Sequence, residues 1–483
     1  HLKQKTYKGG ICWLDCRGKN VGLQIVSFAI SRFNLQISEQ YDLQTRIQVC
    51  WDNWPQGDVL IIFDDVVDYG EIKDCIPPES PRFKAIITTR KKWLQQSFEK
   101  LELEVLDTPS AIDLLISFVG SSRIEAERKE AEELCKDLGF LPLGLELVAR
   151  YLERKPHLSF VEMRQMLGLE DESLEPFSTD MTAQRGVAAA FELSWNELDK
   201  DSQKLGCLLS LFASAPIPWD LVETCLLKDE RQETSIIQKS FPTFLRLWSL
   251  FVPRKEVKLL DSKAWKSKRD DKLINFSLLQ YVGGSNYGLH PLIRQYFRNK
   301  LAEFDSSAKE MKHSICKVVA ESAKAIPDSI TVQQVNEVAV YIPHIVEVAE
   351  NLHEYLSDND LIVPFIGLGE FYQGQGLYLQ AQFWLEKGKE IAEQQFGKEH
   401  SDVATALNYL ASLYDDQGRY DDAKPLYIQA LGIYRKLLGD EHPKVATTLN
   451  GLALLYYNQG RRNDAEPLYI QALGIYRKLL GDE

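Results

Sequence analysis

The 483-residue chain lacks several patterns that would assign it to a class of protein. Its eight cysteines form no C-x-x-C pair and no cluster with histidine of the kind that holds zinc. No apolar run reaches the roughly 18–20 residues that cross a membrane, and no signal peptide opens the chain. Acidic residues outnumber basic ones, which gives a net charge of −14. Nucleic acid is therefore an unfavourable partner, and the scattered cysteines fit a reducing cytoplasm.

The most informative absence is a glycine-rich phosphate-binding loop. Nowhere does the chain read G-x-x-x-x-G-K-[ST], in which backbone N–H groups wrap phosphate oxygens and a lysine reaches them. Gly18-Lys19 fails because Asn20 stands where serine or threonine is needed. Two interpretations stay open: the chain is truncated before the loop, or its domain has lost the loop and with it nucleotide binding. The start at His1 and the abrupt end favour truncation.

Apolar segments that alternate with helix-like stretches are the first positive signal. Hydrophobic residues make up 45% of the chain, and its length allows roughly three domains. Short apolar runs at 11–15, 59–63 and 85–87 read as buried strands, with a helix-like stretch at 21–33. This pattern predicts a parallel sheet covered by helices on both faces.

Charged residues follow two of these strands. Asp64 and Asp65 come directly after the second, which places them at the carboxyl edge, where open α/β sheets bind ligands. One carboxylate there could hold Mg²⁺ and the other could orient an attacking water. The alternative is that the pair caps the next helix. Residues 83–90 read F-K-A-I-I-T-T-R and bring Arg90 to the same edge, either to bind a terminal phosphate or to form a salt bridge.

These segments, followed by G-F-L-P-L at 139–143, resemble the NB-ARC family of signal-transduction ATPases. The resemblance implies that Asp64 is the Mg²⁺ ligand and Asp65 the catalytic-type acid. It further implies that Arg90 senses the γ-phosphate and that Pro142 packs on the adenine. The expected cofactor is ADP or ATP with Mg²⁺, and any hydrolysis would be slow and would reset a switch.

The resemblance continues into a winged-helix region. Residues 187–198 and 205–213 look like its start, and 276–280 with 287–290, joined by G-G-S-N at 283–286, read as a strand–turn–strand wing. The family closes this domain with Met-His-Asp, whose histidine contacts the β-phosphate of ADP. This chain has Leu289-His290-Pro291, so the resemblance implies that contact for His290. A purely structural histidine is the alternative.

An internal repeat dominates the end of the chain. Residues 425–441 recur verbatim at 467–483, 42 residues later, and a weaker copy precedes them. Each unit holds two helix patterns separated by glycine, which resembles the tetratricopeptide repeat, in the longer kinesin-light-chain form. Such repeats stack around a concave groove that would bind a protein or peptide. The candidate contact residues are Asn408, Tyr409, Asn450, Arg435 and Arg477; hydrogen bonds between helices are the alternative role for the asparagines.

The sequence therefore predicts a multidomain protein, α/β plus all-α. Its parallel-sheet P-loop NTPase core would lack the first strand and the P-loop. The expected divisions are a partial NB-ARC nucleotide-binding core at 1–108, a helical subdomain at 109–180, a winged-helix domain at 181–300, a helical linker at 301–360 and about three tetratricopeptide repeats in an α-solenoid at 361–483.

Three functions are compatible with this organisation. In the first, ADP holds a switch closed, a ligand on the repeats releases it, and ATP stabilises an oligomerising form that controls an effector. In the second, the repeats are a binding scaffold and the core is inert. In the third, a basic cluster between 254 and 272 binds DNA, although acidic residues dilute it. Under the first hypothesis we expect this chain to bind ADP poorly and the intact protein to bind it well.

Overall fold

A computed structural model describes residues 6–16, 21–33, 35, 37, 38, 41–89, 91, 98–168, 179–226, 260–327, 330 and 332–480. The chain is mostly helical and divides into two compact units. Unit 1 comprises residues 1–100, 323–338 and 359–483, and unit 2 comprises residues 101–322 and 339–358. None of the helices in the described part is long and apolar enough to cross a membrane.

Unit 1 begins with a small parallel sheet. Strands β1 (Gly10–Asp15), β2 (Val59–Asp64) and β3 (Phe83–Ile87) lie in that order. Helices α1 (Val21–Phe33) and α2 (Leu43–Asp52) connect β1 to β2, whereas only two 3₁₀ turns, Tyr69–Glu71 and Lys73–Cys75, lie between β2 and β3. The predicted strands and the first helix are thus present.

Within the described part of unit 1, helices and turns cover only one face of this sheet. Cys12, Leu14, Ile61 and Phe63 form a buried core with α1, α2 and the 3₁₀ turns. On the opposite face, register places Trp13, Ile62 and Ile86 in one row, with Trp13 61% and Ile86 50% exposed. The prediction of helices on both faces is therefore wrong, because every connecting element packs on the same side.

Unit 2 starts with a region of five helices. Its longest helix, α6, begins with Pro142 in the first turn, where a proline costs no hydrogen bond. Gly139 and Phe140, both at positive φ, precede it in the turn from α5. The helices are α3 (Thr108–Val119), α4 (Ser121–Ala126), α5 (Arg128–Asp137), α6 (Pro142–Arg154) and α7 (Phe160–Met166).

A second part of unit 2 combines helices with a small antiparallel sheet. Strand β6 (Asn286–Gly288) lies between β4 (Ile217–Pro218) and β5 (Gln280–Gly283), and Tyr281 of β5 pairs with Tyr287 of β6. The first strand of the hairpin begins four residues later than predicted, because a π-helix at Lys268–Ile274 and a turn occupy the preceding residues. The elements are α8 (Thr179–Asn196), α9 (Lys200–Ser210), β4 (Ile217–Pro218), α10 (Trp219–Leu226), α11 (Leu260–Ser267), β5 (Gln280–Gly283), β6 (Asn286–Gly288) and α12 (Pro291–Leu301).

The segment predicted as a helical linker is shared between the two units. It contains α13 (Asp305–Lys324), α14 (Val332–Val338) and α15 (Ile342–Glu347). Within unit 2, His344 of α15 is almost fully buried and packs edge-on against Phe212. Arg294 of α12 forms an ion pair of 3.0 Å with Glu347 at the end of α15. This part of the segment is therefore packed within unit 2.

Three helix hairpins complete unit 1. They are formed by α16 (Val363–Gln373) with α17 (Tyr378–Phe396), α18 (Ser401–Asp416) with α19 (Tyr420–Leu438), and α20 (Pro443–Asn458) with α21 (Arg462–Leu480). Gly418 and Gly439 take positive φ values of 70° and 83° at the ends of their helices, which a side chain would oppose. We call α16, α18 and α20 the first helices of their hairpins and the others the second helices.

Candidate functional site

The acidic pair lies at the carboxyl edge of the parallel sheet, as the sequence predicts. Asp64 is the last residue of β2, and the hydroxyl of Thr88 donates a hydrogen bond of 2.6 Å to its Oδ1. The same hydroxyl oxygen accepts from the backbone N–H of Asp65 at 2.8 Å. Thr88 follows directly after β3, so one side chain ties the ends of two strands together. The carboxylate of Asp64 is thereby held in place without a charged partner being needed.

Asp65 takes a left-handed backbone conformation, with φ of 58°. Aspartate tolerates this conformation better than most residues, and here it turns the chain sharply after the strand. The alternative role, in which the pair caps a helix, is wrong. The next helical element is a 3₁₀ turn, and its cap is Asp68, whose Oδ1 accepts from the N–H of Gly70 at 2.8 Å.

The edge suits a single magnesium ligand. Among the described residues no group of three histidine, cysteine or acidic side chains could hold a metal ion by itself. Mg²⁺ is usually bound through one or two carboxylates, with water and phosphate oxygens completing its shell. Asp64 fits that role, whereas a dedicated protein cage is absent from the described part. Arg90, expected at the same edge, lies outside the described residues, so its role stays a prediction.

His290 and the helix that begins at Pro142 are close in unit 2. His290 is the N-cap of α12, and its Nδ1 accepts from the N–H of Leu292 at 3.2 Å. Burial lowers the pKa of His290, while the nearby carboxylate of Glu146 opposes the shift. Glu146 lies one turn along α6 from Pro142. His290 is thus favoured in its neutral form, and because Nδ1 accepts, its proton belongs on Nε2.

The residues of the expected nucleotide site are divided between the units. Asp64 and Asp65 belong to unit 1, whereas Pro142 and His290 belong to unit 2. Asp64 and Asp65 are adjacent at the strand end, and His290 lies near enough to Glu146 of α6 to feel its charge. Thr88 is a residue that the sequence reasoning missed, although its signal, the paired threonines before Arg90, was present. The composite site stays a prediction.

The candidate peptide-binding residues fall on two kinds of helix. Asn408, Tyr409 and Asn450 lie on first helices, and Arg435 and Arg477 lie on second helices. Asn450 is exposed, and the half-buried Asn408 has a buried Oδ1 that accepts no hydrogen bond from any described residue. Tyr409 packs in an apolar cluster, and Arg435 pairs with Asp440 at 3.1 Å.

Hydrogen bonds between first helices do occur, but other residues make them. Asn458 donates to the Oδ1 of Asp415 at 3.1 Å, and Gln373 donates to the Oδ2 of Asp416 at 2.6 Å. The structure shows no such bond for the side chains of Asn408 and Asn450 in the described contacts. Asn450 is exposed, whereas the Oδ1 of Asn408 is buried. The peptide-binding role of both asparagines stays a prediction.

The basic cluster proposed for DNA is largely neutralised where it is described. Lys266 pairs with Glu223 at 3.1 Å, and Lys268 pairs with Asp199 at 2.7 Å. Arg269 bonds to Asp270 and stacks over aromatic rings. Residues 254–259 of the cluster lie outside the described residues. Cations already paired with carboxylates have little charge to offer a phosphate backbone.

The repeats match a family model. The tetratricopeptide repeat model covers residues 360–435 and 402–478, which confirms the repeat prediction for that part of the chain. Solved structures that align with the chain include nearly identical TPR-like repeats of a kinesin light chain from Podosopora anserina, with 22% identity, 38% of this chain, 93% of that chain and a TM-score of 0.26. BtubC (BKLC) from P. vanneervenii aligns with 19% identity and a TM-score of 0.30. The alignment covers 40% of this chain and 80% of that chain.

Two curated relatives share sequence with the chain. The regulatory protein AfsR of Streptomyces griseus is 28% identical over 143 residues, which are 29% of this chain and 14% of the relative. AfsR of Streptomyces coelicolor is 24% identical over 202 residues, which are 40% of this chain and 20% of the relative. The matches thus span a fifth or less of each relative's length.

Proposed function

We propose that this protein is a regulator that binds a protein or peptide through its tetratricopeptide repeats and is switched by ADP and ATP. The observation that supports the proposed binding of a protein or peptide is the repeat array at residues 360–478. Repeats of this kind present a long concave surface for polypeptide ligands. Similarity to proteins named as regulatory supports the wider role.

The proposed switching by ADP and ATP rests on Asp64 at the edge of the parallel sheet and on His290 and Pro142 in unit 2. Asp64, held by Thr88 at the carboxyl edge, would bind Mg²⁺. His290 would donate its Nε2 proton to a phosphate oxygen from the start of α12, where the N–H groups of a helix also favour negative charge. Pro142 would contact the base from the start of α6. When bound, the nucleotide would supply phosphate charge that differs between ADP and ATP.

A switch of this kind needs unequal affinities. A nucleotide shifts an equilibrium between two states only by the difference between its affinities for them. To shift the ratio of open to closed protein from about 1:99 to about 99:1, a nucleotide must bind the two states with free energies that differ by about 5.5 kcal/mol. In the proposed switch, ADP would bind the closed state more tightly and ATP the open state. Asp65 is the candidate for slow hydrolysis that resets it.

Equilibrium binding of ADP and ATP tests the proposal. The protein produced from its whole gene should bind ADP, and Asp64→Ala should weaken Mg²⁺-dependent binding by roughly tenfold or more. His290→Asn is the sharper variant of the histidine, because asparagine also caps helices well. It should weaken ADP binding while α12 stays intact. Asp68→Ala, four residues after Asp64, is the control that should leave affinity unchanged.

The binding scaffold remains the alternative. Absence of any nucleotide affinity in the whole-gene protein would remove the switch and leave the repeats as the only functional part. Unchanged ADP affinity in both Asp64→Ala and His290→Asn would show that nucleotide binds elsewhere. DNA binding has less support, because described lysines of the basic cluster are paired with Glu223 and Asp199.

A further inference from the structure

Charge is distributed unequally over the helix hairpins. The three first helices carry four acidic residues and one lysine, whereas the three second helices carry seven acidic and eight basic residues. Consecutive first helices also contact one another more closely than consecutive second helices do, which places the first helices on the inner side of the curved array. The side of the repeats that offers a concave groove to a polypeptide is therefore the acidic side.

The carboxyl ends of the three first helices meet at one edge of this inner side. Gln373, Asp416 and Asn458 are the last residues of α16, α18 and α20. The Nε2 of Gln373 donates a hydrogen bond of 2.6 Å to the Oδ2 of Asp416. Asn458 donates to both carboxylate oxygens of Asp415, at 3.1 and 3.3 Å. We call the surface formed by these four residues the acidic edge; the partial negative charge of the helix ends adds to its two carboxylates.

The two carboxylates of the acidic edge are oriented but not neutralised. Their hydrogen-bond donors are neutral amides, and neither Asp415 nor Asp416 forms an ion pair with a described residue. Burial, and more weakly the charge of Asp416, raises the pKa of Asp415, while the hydrogen bond from Asn458 opposes the shift. Asp416 itself is exposed. A negative charge of fixed geometry is thus presented to solvent.

The basic residues nearest to this edge in sequence are engaged elsewhere. Arg419, in the turn after α18, pairs with Asp422 at 2.7 Å. Lys444, the single lysine of the first helices, lies near the start of α20, about 20 Å along the helix from Asn458. Its Nζ donates to the hydroxyl of Ser401 at 3.0 Å. The described repeats therefore provide no cation for the acidic edge.

We propose that the acidic edge binds an arginine or lysine side chain of the peptide in the groove, so that the repeats select basic peptides. This inference rests on the proposed function, because it names the chemistry of the peptide that the repeats bind. Asp416 would contact the cation directly, and Asp415 would add charge from beneath. A metal ion is less suited, because no third histidine, cysteine or acidic side chain of the described chain completes a site.

The surroundings of the acidic pair are formed on both sides by described helices. Asp415 and Asp416 belong to the middle hairpin, and the first helices α16 and α20 flank it. The exposure of Asp416 is therefore a property of the packed array. A peptide cation would occupy the side of the carboxylates that the amides of Gln373 and Asn458 leave open.

Two glutamates supply a matched control for charge. Glu399 pairs with Lys436 at 2.9 Å, and Glu441 pairs with Lys478. Both glutamates are exposed and precede first helices, so they lie at the opposite end of the hairpins from the acidic edge. Glu399→Gln/Glu441→Gln removes as much negative charge from the chain as neutralising both aspartates of the acidic edge, but leaves that edge intact.

The test begins with selection of phage-displayed random decapeptides on the 483-residue chain. Selected peptides should share an arginine or lysine at one position. The most enriched peptide is then titrated by fluorescence anisotropy, with and without glutamine in place of that basic residue. The replacement should weaken binding by roughly tenfold in the wild type and in Glu399→Gln/Glu441→Gln. It should change affinity little in Asp415→Asn/Asp416→Asn, because the partner charge is already absent.

Asp416→Asn alone guards against misfolding, because this side chain is exposed and asparagine can still accept from Gln373. It should give most of the effect at an unchanged thermal midpoint. Peptides that bind saturably but share no basic residue would overturn this inference and leave the proposed peptide binding intact. An equal loss in wild type and in both aspartate variants would also overturn it. Selection of no binding peptide at all would contradict the proposed function and this inference with it.

Discussion

A single hydroxyl fixes the geometry of the acidic pair. The Thr88 hydroxyl accepts a hydrogen bond from the backbone N–H of Asp65 and donates one to the carboxylate of Asp64. It therefore links the end of the strand to the turn that follows. Neither contact could be read from the sequence, because it depends on the parallel register of β2 and β3. The position of Asp64 at the strand end could be read, since an apolar run followed by charge marks that end.

Thr88→Val should lower the free energy of unfolding by about 1 kcal/mol, because it leaves the N–H of Asp65 and the Asp64 carboxylate without their shared partner. Thr88→Ser keeps the hydroxyl and should retain most of the stability. Urea denaturation of the two variants measures the difference. Equal stability of valine and serine at this position would show that the hydroxyl contributes nothing.

His344 should make unit 2 sensitive to acid. Its Nδ1 accepts from the N–H of Ala213 at 3.2 Å, and its Nε2 lies 3.0 Å from the carbonyl oxygen of Pro216, to which the neutral ring donates. Burial lowers the pKa of His344 to about 4, mainly through lost hydration. Below an unfolded pKa of about 6.5, the unfolded chain binds the proton more readily than the folded chain, so folding weakens as pH falls.

Between about pH 6.5 and about pH 4, the protein should lose about 3 kcal/mol of its free energy of unfolding because of His344. His344→Gln should be less stable at neutral pH, since it alters a buried site, but should lose less stability on acidification. Urea denaturation at about pH 7 and about pH 4.5 compares the two proteins. Equal acid sensitivity of wild type and His344→Gln would rule His344 out as a source of the effect.

Two glycines in neighbouring helices should respond to alanine in opposite directions. At Gly451 of α20 a Cβ atom would meet the Tyr427 ring at 2.7 Å, whereas at Gly432 of α19 nothing lies within 4 Å. Gly432→Ala should stabilise the protein by about 0.5–1 kcal/mol through improved helix propensity. Gly451→Ala should destabilise it, because the ring must move. Thermal midpoints of the two variants provide the comparison, and a stabilising Gly451→Ala would contradict the close packing.

Elements were predicted best where periodicity is strong. The repeat hairpins follow from an exact internal copy, and β1, β2 and β3 from short apolar runs. The covering of the sheet was predicted wrongly, because an apolar strand does not reveal on which side its connecting helices will pack. The hairpin in unit 2 starts late because a π-helix at Lys268–Ile274 extends the preceding helix, and no simple pattern marks a π-helix. Both the covered face of the sheet and the start of the hairpin thus depend on how neighbouring elements pack, which a local sequence pattern does not show.

At the scale of the whole molecule, the candidate nucleotide residues belong to two different units. Asp64 is part of unit 1 and His290 of unit 2, and both are partly buried. The resemblance to the NB-ARC family suggested that they act together, and the structure gives their positions only within each unit. Under the proposed function, ADP and ATP would favour different states of the protein.

Sedimentation velocity of the whole-gene protein in ADP and in ATP, each with Mg²⁺, tests this central claim most directly. We expect a compact species in ADP and a larger or more extended species in ATP, with His290→Asn losing the effect of ADP. The same sedimentation coefficient in both nucleotides, in wild type and variant alike, would contradict the switch.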